Sequence, residues 1–170
     1  MSDILASALL GQYRAALSTL EQVIDRCPEP EWDESHGDYP FSQVVFHTLF
    51  FADYYLHGGQ ADFREQGFHR DNPSLFQDYE ELEWREPRNR YDRSLCIAYL
   101  EFCFEKCEAV LSRESLAVLN GPSGIDEKPF SRAELHVYTI RHIQHHAAQL
   151  GLRLQAIDGQ ELGWVSSGRI

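Results

Sequence analysis

The segment 43–56 constrains the fold of this chain most, because it is apolar on nearly every side of a helix. A helix that presents apolar side chains all round needs protein on every side, as in the middle of a helical bundle. The pattern predicts a helix over residues 42–57. The glycines Gly58 and Gly59 follow it and supply a C-terminal stop.

Three other segments carry apolar residues at steps of three and four, the spacing of one helix face. The last of them opens with Ser131 and Glu134 in the spacing of a capping box. No segment alternates polar and apolar residues as a strand does. We therefore predict an all-α four-helix bundle, a single domain over residues 1–170. The predicted helices cover residues 2–26, 42–57, about 91–112 and about 132–156.

The long connection over residues 60–90 is polar, aromatic and irregular. It contains Asn72-Pro73 and Glu86-Pro87, and the residue before a proline is disfavoured in a helix. We expect a loop with short helical turns. A connection of this length is more often functional, or a cap on the bundle, than disordered.

Charge and hydropathy exclude several classes of partner. The 170 residues include 15 basic and 27 acidic side chains, a formal net charge of −12, which disfavours nucleic acids and anionic membranes. No apolar run is long enough for a transmembrane helix, and the N-terminus lacks the basic region of a signal peptide. We expect a cytoplasmic protein with reduced cysteines.

Three histidines are candidate metal ligands. His142 and His146 are four residues apart, so a helix places them on one face, about 6 Å apart along the axis. His47 lies in the middle of the apolar second helix. Three imidazoles on one metal would leave an open coordination position, as in catalytic sites. The alternative is an exposed His142–His146 pair and a hydrogen-bonded His47 in the core.

The residues around these histidines resemble a known family. The second helix carries Phe41-Ser-Gln-Val-Val-Phe-His47, and the last carries His142-Ile-Gln-His-His146-Ala-Ala-Gln149-Leu. Both are similar to the corresponding helices of the DinB/YfiT-like family. The resemblance implies a four-helix bundle, frequently a homodimer, with a metal held by His47, His142 and His146. Many members have Arg-Gly-Gln after the last ligand, whereas this chain has Ala147-Ala148-Gln149.

Three kinds of function are considered. The resemblance implies a metal-dependent enzyme, a hydrolase or a transferase of low-molecular-weight thiols that acts on a small-molecule substrate. The alternatives are a non-catalytic binding or stress-related module in which the metal stabilises the bundle, and a metal-free bundle used for dimerisation. Imidazole ligands suit several metals, and we expect zinc or nickel. The sequence contains no nucleotide-binding glycine loop and no recognisable nucleophile–base pair, and it places no Asp or Glu beside the proposed metal.

The other histidines have simpler interpretations. His145 points about 100° away from His146, toward the surface or the surroundings of the site. A packing or surface role is expected for His136. The remaining three lie in loops or at a helix end and are interpreted as solvated: His36, His57 and His69.

Four further interpretations concern residues near the predicted helices. Arg153 is interpreted as a surface charge, with contact to an anionic substrate as the alternative. Asp53 lies on the wrong side of its helix to join His47. The aromatic residues of the second helix are expected in the core, with a part of them lining a pocket or a dimer interface as the alternative. The cysteines of the third helix, Cys96, Cys103 and Cys107, oppose a glutamate stripe and are expected to point inward.

Overall fold

Helices make up most of the computed structural model, which describes residues 2–35, 39–59, 61–77, 79–83, 86 and 88–167. Over this part of the chain the only β-type pairings are two isolated bridges, so the prediction of an all-α fold is confirmed. No helix in the described part is long and apolar enough to cross a membrane. The helices are α1 (Ser2–Arg26), α2 (Phe41–His57), α3 (Gly67–Asp71), α4 (Arg93–Leu111), α5 (Leu116–Leu119) and α6 (Arg132–Asp158).

The four long helices are the predicted ones, and their ends differ from the prediction by at most two residues. The connection between α2 and α4 contains α3 and two 3₁₀ turns, Phe63–Glu65 and Glu80–Leu82, in agreement with the expected short helical turns. The short helix α5 lies between the third and fourth predicted helices, where the sequence predicted no helix.

Helix α2 is almost completely enclosed. It packs against α4 and α6, and α1 packs against the same two helices from the other side of the bundle. Of the 17 residues of α2, 14 are buried, as its apolar sequence predicted. The partly exposed residues are His47, Phe51 and His57. The two that face α6 at successive turns, His47 and Phe51, therefore mark the side on which the bundle is open.

Polar side chains cap the starts of two of these helices, and a glycine terminates a third. Asp92 and Ser131 accept hydrogen bonds from the backbone N–H groups of Leu95 and Glu134, so each side chain caps a helix start. Gly58 ends α2 in the left-handed conformation, with φ of 87°. Ser131 and Gly58 lie where the sequence predicted a helix start and a helix stop, whereas α4 begins about two residues later than predicted.

The C-terminal end of α2 is tied to the start of α6. The Arg132 guanidinium donates hydrogen bonds to the carbonyl oxygens of Tyr55 and Leu56, and it pairs with Glu114 at 2.8 Å. The buried His136 lies between Glu114 and the Tyr13 hydroxyl, so it has the packing role that was one of its two expected roles. These contacts fix the register of α2 against α6.

Near this junction the backbone of Gly124 lies close to the backbone of Gly58, which leads to a specific prediction. A Cβ atom on Gly124, which has φ of +86°, would lie 2.5 Å from the carbonyl oxygen of Gly58. Gly124→Ala therefore combines left-handed strain with a backbone overlap, and we expect it to lower the free energy of unfolding by about 2–4 kcal/mol. Urea denaturation measures this change.

Gly159→Ala is the matched control. Gly159 also has a positive φ, +75°, but a Cβ atom added there would meet nothing within 4 Å. We expect a loss of about 1 kcal/mol from conformational strain alone. Equal losses in the two variants would contradict a steric requirement at Gly124.

Candidate metal centre

Three histidines from two helices converge on the open side of the bundle. His47 comes from α2, and His142 and His146 come from successive turns of α6. One ligand atom from each residue lies within 4.8 Å of those of the other two. The Nε2 atoms of His47 and His142 are 3.3 Å apart. The structure therefore brings together the three residues that the sequence singled out.

Hydrogen bonds fix how two of the rings face the cluster. The Nδ1–H of His47 donates to the Glu81 carboxylate at 2.7 Å, and the Nδ1–H of His146 donates to Oε1 of Gln149 at 2.8 Å. Because an ionised carboxylate only accepts hydrogen bonds, Nδ1 of His47 carries the proton. In its neutral form each ring then has an unprotonated Nε2, the form in which imidazole binds a metal.

The environment of the cluster favours neutral imidazoles. Burial, with the neighbouring His146 and His47, lowers the pKa of His142 from 6.5 to about 2. Burial and His47 lower the pKa of His146 to about 4. Buried Nδ1 of His142 has no hydrogen-bond partner among the described residues. Both α6 histidines are therefore uncharged at neutral pH, as a ligand must be.

These features fit a transition metal. Two imidazole nitrogens that bind one zinc at about 2.0–2.1 Å lie about 3.3 Å apart in tetrahedral geometry, which matches the separation of the His47 and His142 Nε2 atoms. Three protein ligands leave at least one further position. The ring of Phe51, 4.9 Å from His47 and 5.9 Å from His142 between centroids, gives the cluster an apolar wall.

Comparison with known protein families agrees with this architecture. A family model described as the DinB superfamily matches residues 12–150, which is most of the chain. The chain belongs to the DinB superfamily. The resemblance found in α2 and α6 is thereby confirmed. No curated protein matches this DinB-superfamily chain.

The residues after His146 have defined places in this DinB-superfamily chain. Ala147 is fully buried in the core and Ala148 is exposed. Because alanine has no polar side chain, neither residue supplies a polar group to the cluster. Gln149, shared with the Arg-Gly-Gln pattern of many members, holds His146. Arg153 donates a hydrogen bond to the carbonyl oxygen of Tyr39 at 3.0 Å, a contact with the loop before α2.

Other sequence interpretations are confirmed. His145 is exposed, and it is not part of the group of His47, His142 and His146. Asp53 is buried, and its carboxylate contacts Tyr99 and Lys106 of α4 and not His47. The three cysteines of α4 are fully buried, and burial raises the pKa of the Cys107 thiol to about 12, so a thiolate role at neutral pH is disfavoured.

The interpretation of His69 as solvated is wrong. His69 is 2% exposed, and its Nε2 lies 2.7 Å from the Asp53 carboxylate. Its position in a polar connection suggested solvent, but α3 turns the ring into the bundle to meet a buried acid. His57 is partly exposed, with its Nε2 at 2.7 Å from the carbonyl oxygen of Ala61. His36 lies outside the described residues.

Sequence reasoning missed Glu81, the acid beside His47. It lies 34 positions away in the chain, and its side chain is 4% exposed. No periodicity relates a residue of an irregular connection to a helix face. A weaker signal did exist for Gln149, since a residue three positions after His146 shares its side of a helix.

The neutral histidines predict a pH-dependent stability of the metal-free protein. In the unfolded chain their pKa is near 6.5, so between pH 7.5 and 5.5 that chain binds protons that the native state does not. Lowering the pH should therefore decrease the free energy of unfolding, by about 1.4 kcal/mol for His142 and by less for the more exposed His146, whose charge is better screened by solvent. Urea denaturation with EDTA at both pH values measures this change.

His142→Asn should remove at least about half of that pH dependence. His145→Asn is the control, because His145 lies in the same helix but is exposed, and it should leave the dependence unchanged. The same pH dependence in His142→Asn and the parent protein would show that His142 is not held neutral.

Proposed function

We propose that this protein binds a divalent transition metal through His47, His142 and His146 and is a metal-dependent enzyme acting on a small molecule. The observation that carries the proposal is the convergence of three ligand atoms within 4.8 Å on the open side of a DinB-superfamily bundle. The proposed reaction is either the hydrolysis of a small molecule or the transfer of a low-molecular-weight thiol to one.

The residues of the chain would prepare the site before any ligand arrives. Glu81 and Gln149 orient His47 and His146, and the α2–α6 packing sets the distance between the two helices. Phe51 limits access of water from one side. The three histidines would hold a divalent metal there, which would supply Lewis acidity to make a water molecule or a thiol a stronger nucleophile at neutral pH. We propose zinc or nickel, both of which accept imidazole ligands.

A second candidate function is a metal that stabilises the bundle without catalysis. It is favoured by the origin of the ligands, because one metal would cross-link α2 to α6. A metal that binds only the folded chain raises its stability by mass action. Homodimer formation and a stress-related binding role belong to this candidate and stay predictions.

Metal binding itself is the first prediction. Protein purified without a histidine tag and dialysed against zinc or nickel should retain about one metal per chain, measured by elemental analysis. His47→Ala, His142→Ala and His146→Ala should each reduce this to about 0.1 or less, because two imidazoles form a much weaker site.

His145→Ala is the matched control, since it removes an adjacent, exposed imidazole from α6. It should retain the metal. Parent protein that holds less than about 0.1 metal per chain under replete conditions would contradict the proposal, and so would equal losses in His145→Ala and His142→Ala.

Turnover separates the two candidate functions. In both, a chelator should lower the melting temperature by several degrees, since the metal binds the native state. For an enzyme, ester hydrolysis or thiol conjugation should also fall at least about 100-fold on chelation and recover when metal is restored. Activity that persists in metal-free His142→Ala would refute the catalytic role, and a shift in melting temperature with no turnover would favour the structural one.

A further inference from the structure

The connection between α2 and α4, described over residues 61–77, 79–83, 86 and 88–92, brings an acid to the candidate metal centre. Its residue Glu81 accepts a hydrogen bond from His47 with one carboxylate oxygen and from Gln43 with the other. Gln43 and His47 are one turn apart on α2. Glu81 therefore contacts two successive turns of the helix that carries the histidine.

The residues before Glu81 are anchored to a different part of α2. The Tyr79 hydroxyl lies 2.9 Å from Nδ1 of His69, and Nε2 of His69 lies 2.7 Å from the Asp53 carboxylate. Burial alone would raise the pKa of Asp53, but the hydrogen bond from His69 and the charge of Lys106 bring it below its usual value. Tyr79 is thus attached through His69 to a buried carboxylate.

The residue next to Glu81 is anchored as well. Glu80 is 1% exposed and accepts hydrogen bonds from the Tyr91 hydroxyl and from the backbone N–H groups of Arg88 and Asn89. Tyr79 itself has φ of 51°, a left-handed conformation that is uncommon for a residue other than glycine. Surrounding contacts must hold such a conformation. Both neighbours before Glu81 are therefore fixed.

We propose that the α2–α4 connection is a positioning device for the metal centre. Docking of Tyr79 on the His69–Asp53 pair holds Glu81 against His47, and Glu81 keeps the unprotonated Nε2 of His47 facing His142 and His146. This inference rests on the proposed metal binding, and it identifies residues outside the ligand set that would set the metal affinity. Glu81 is a positioning residue that acts through His47.

The physical reason lies in the two forms of neutral imidazole. Without an acceptor at Nδ1, the proton can move to Nε2 and the ring can turn, because the His47 side chain is 32% exposed. Either change removes a ligand atom from the cluster. Mutation of a residue that hydrogen-bonds a metal-binding histidine typically weakens metal affinity by about 10–100-fold.

Zinc affinity and the protonation of His47 test the role of Glu81. We expect Glu81→Ala to weaken zinc binding about 10–100-fold in chelator competition. In metal-free protein, nitrogen NMR should show His47 protonated at Nδ1 in the parent and a mixture of both forms in Glu81→Ala. This second measurement reports on the ring and needs neither metal nor activity.

Glu81→Gln is the conservative variant. Its amide oxygen can still accept the proton of His47, and Gln43 can adapt by turning its amide, since Gln43 Oε1 has no partner within the described part of the chain. We expect this variant to recover most of the zinc affinity and the Nδ1-protonated form. Zinc binding as tight as in the parent, together with unchanged His47 protonation in Glu81→Ala, would overturn the role of Glu81.

A double-mutant cycle tests the anchoring. Tyr79→Phe removes only the hydroxyl that contacts His69 and should weaken zinc binding by about threefold or more in the parent. It should have no further effect in Glu81→Ala, because it acts through Glu81. Equal effects of Tyr79→Phe in both backgrounds, or no effect in the parent, would overturn the anchoring.

Tyr99→Phe is the matched control for this cycle. The Tyr99 hydroxyl also donates to the Asp53 carboxylate, at 2.7 Å, but Tyr99 belongs to α4 and not to the connection. It should lower the melting temperature without changing zinc affinity. Parent protein that binds no zinc would contradict the proposed function itself, whereas zinc binding that is insensitive to Glu81 and Tyr79 contradicts only this inference.

Discussion

Near-complete burial of α2 is the constraint on which the rest of the structure depends. A helix packed by α4 on one side and α6 on another has almost no contact with water, so each polar side chain it carries needs a partner inside the protein. Two such side chains, Asp53 and His47, lie near the middle of α2. The contacts around them account for the path of the α2–α4 connection.

The two polar side chains are satisfied to different extents. Asp53 is surrounded by donors. One carboxylate oxygen accepts a hydrogen bond from Lys106, and the other accepts hydrogen bonds from His69 and the Tyr99 hydroxyl. A buried carboxylate with this many donors stabilises the native arrangement and leaves little for a ligand to do. His47 contacts Glu81 through Nδ1, and its Nε2 lies 3.3 Å from Nε2 of His142. A metal could replace this contact between two imidazole nitrogens, so the capacity to bind a ligand is located at the histidines.

The superfamily supplies a scaffold, and the chemistry depends on the site within it. In this chain the scaffold provides three converging imidazoles, an apolar wall at Phe51 and a carboxylate from the α2–α4 connection. The connection contacts α2 at Gln43, at His47 and at Asp53. Because the surroundings of the ligands and not the bundle determine the chemistry, membership of the superfamily does not by itself assign a reaction.

Much of the fold was predictable because it depends on local patterns. Apolar spacing identified four helices, and Gly58 and Ser131 marked ends that the structure confirms. The convergence of His142 and His146 follows from a spacing of four residues on one helix. Their combination with His47 was inferred from a family resemblance, since periodicity within a helix carries no information about its neighbours.

The sequence by itself determined the helices, the enclosure of α2 and the identity of the three histidines. Only the tertiary structure decided that Glu81 contacts His47 and that His69 is buried against Asp53. The physical reason is that these contacts join an irregular segment to a helix across 34 and 16 positions of the chain. Such contacts are selected by the need to satisfy polar groups that burial has removed from water.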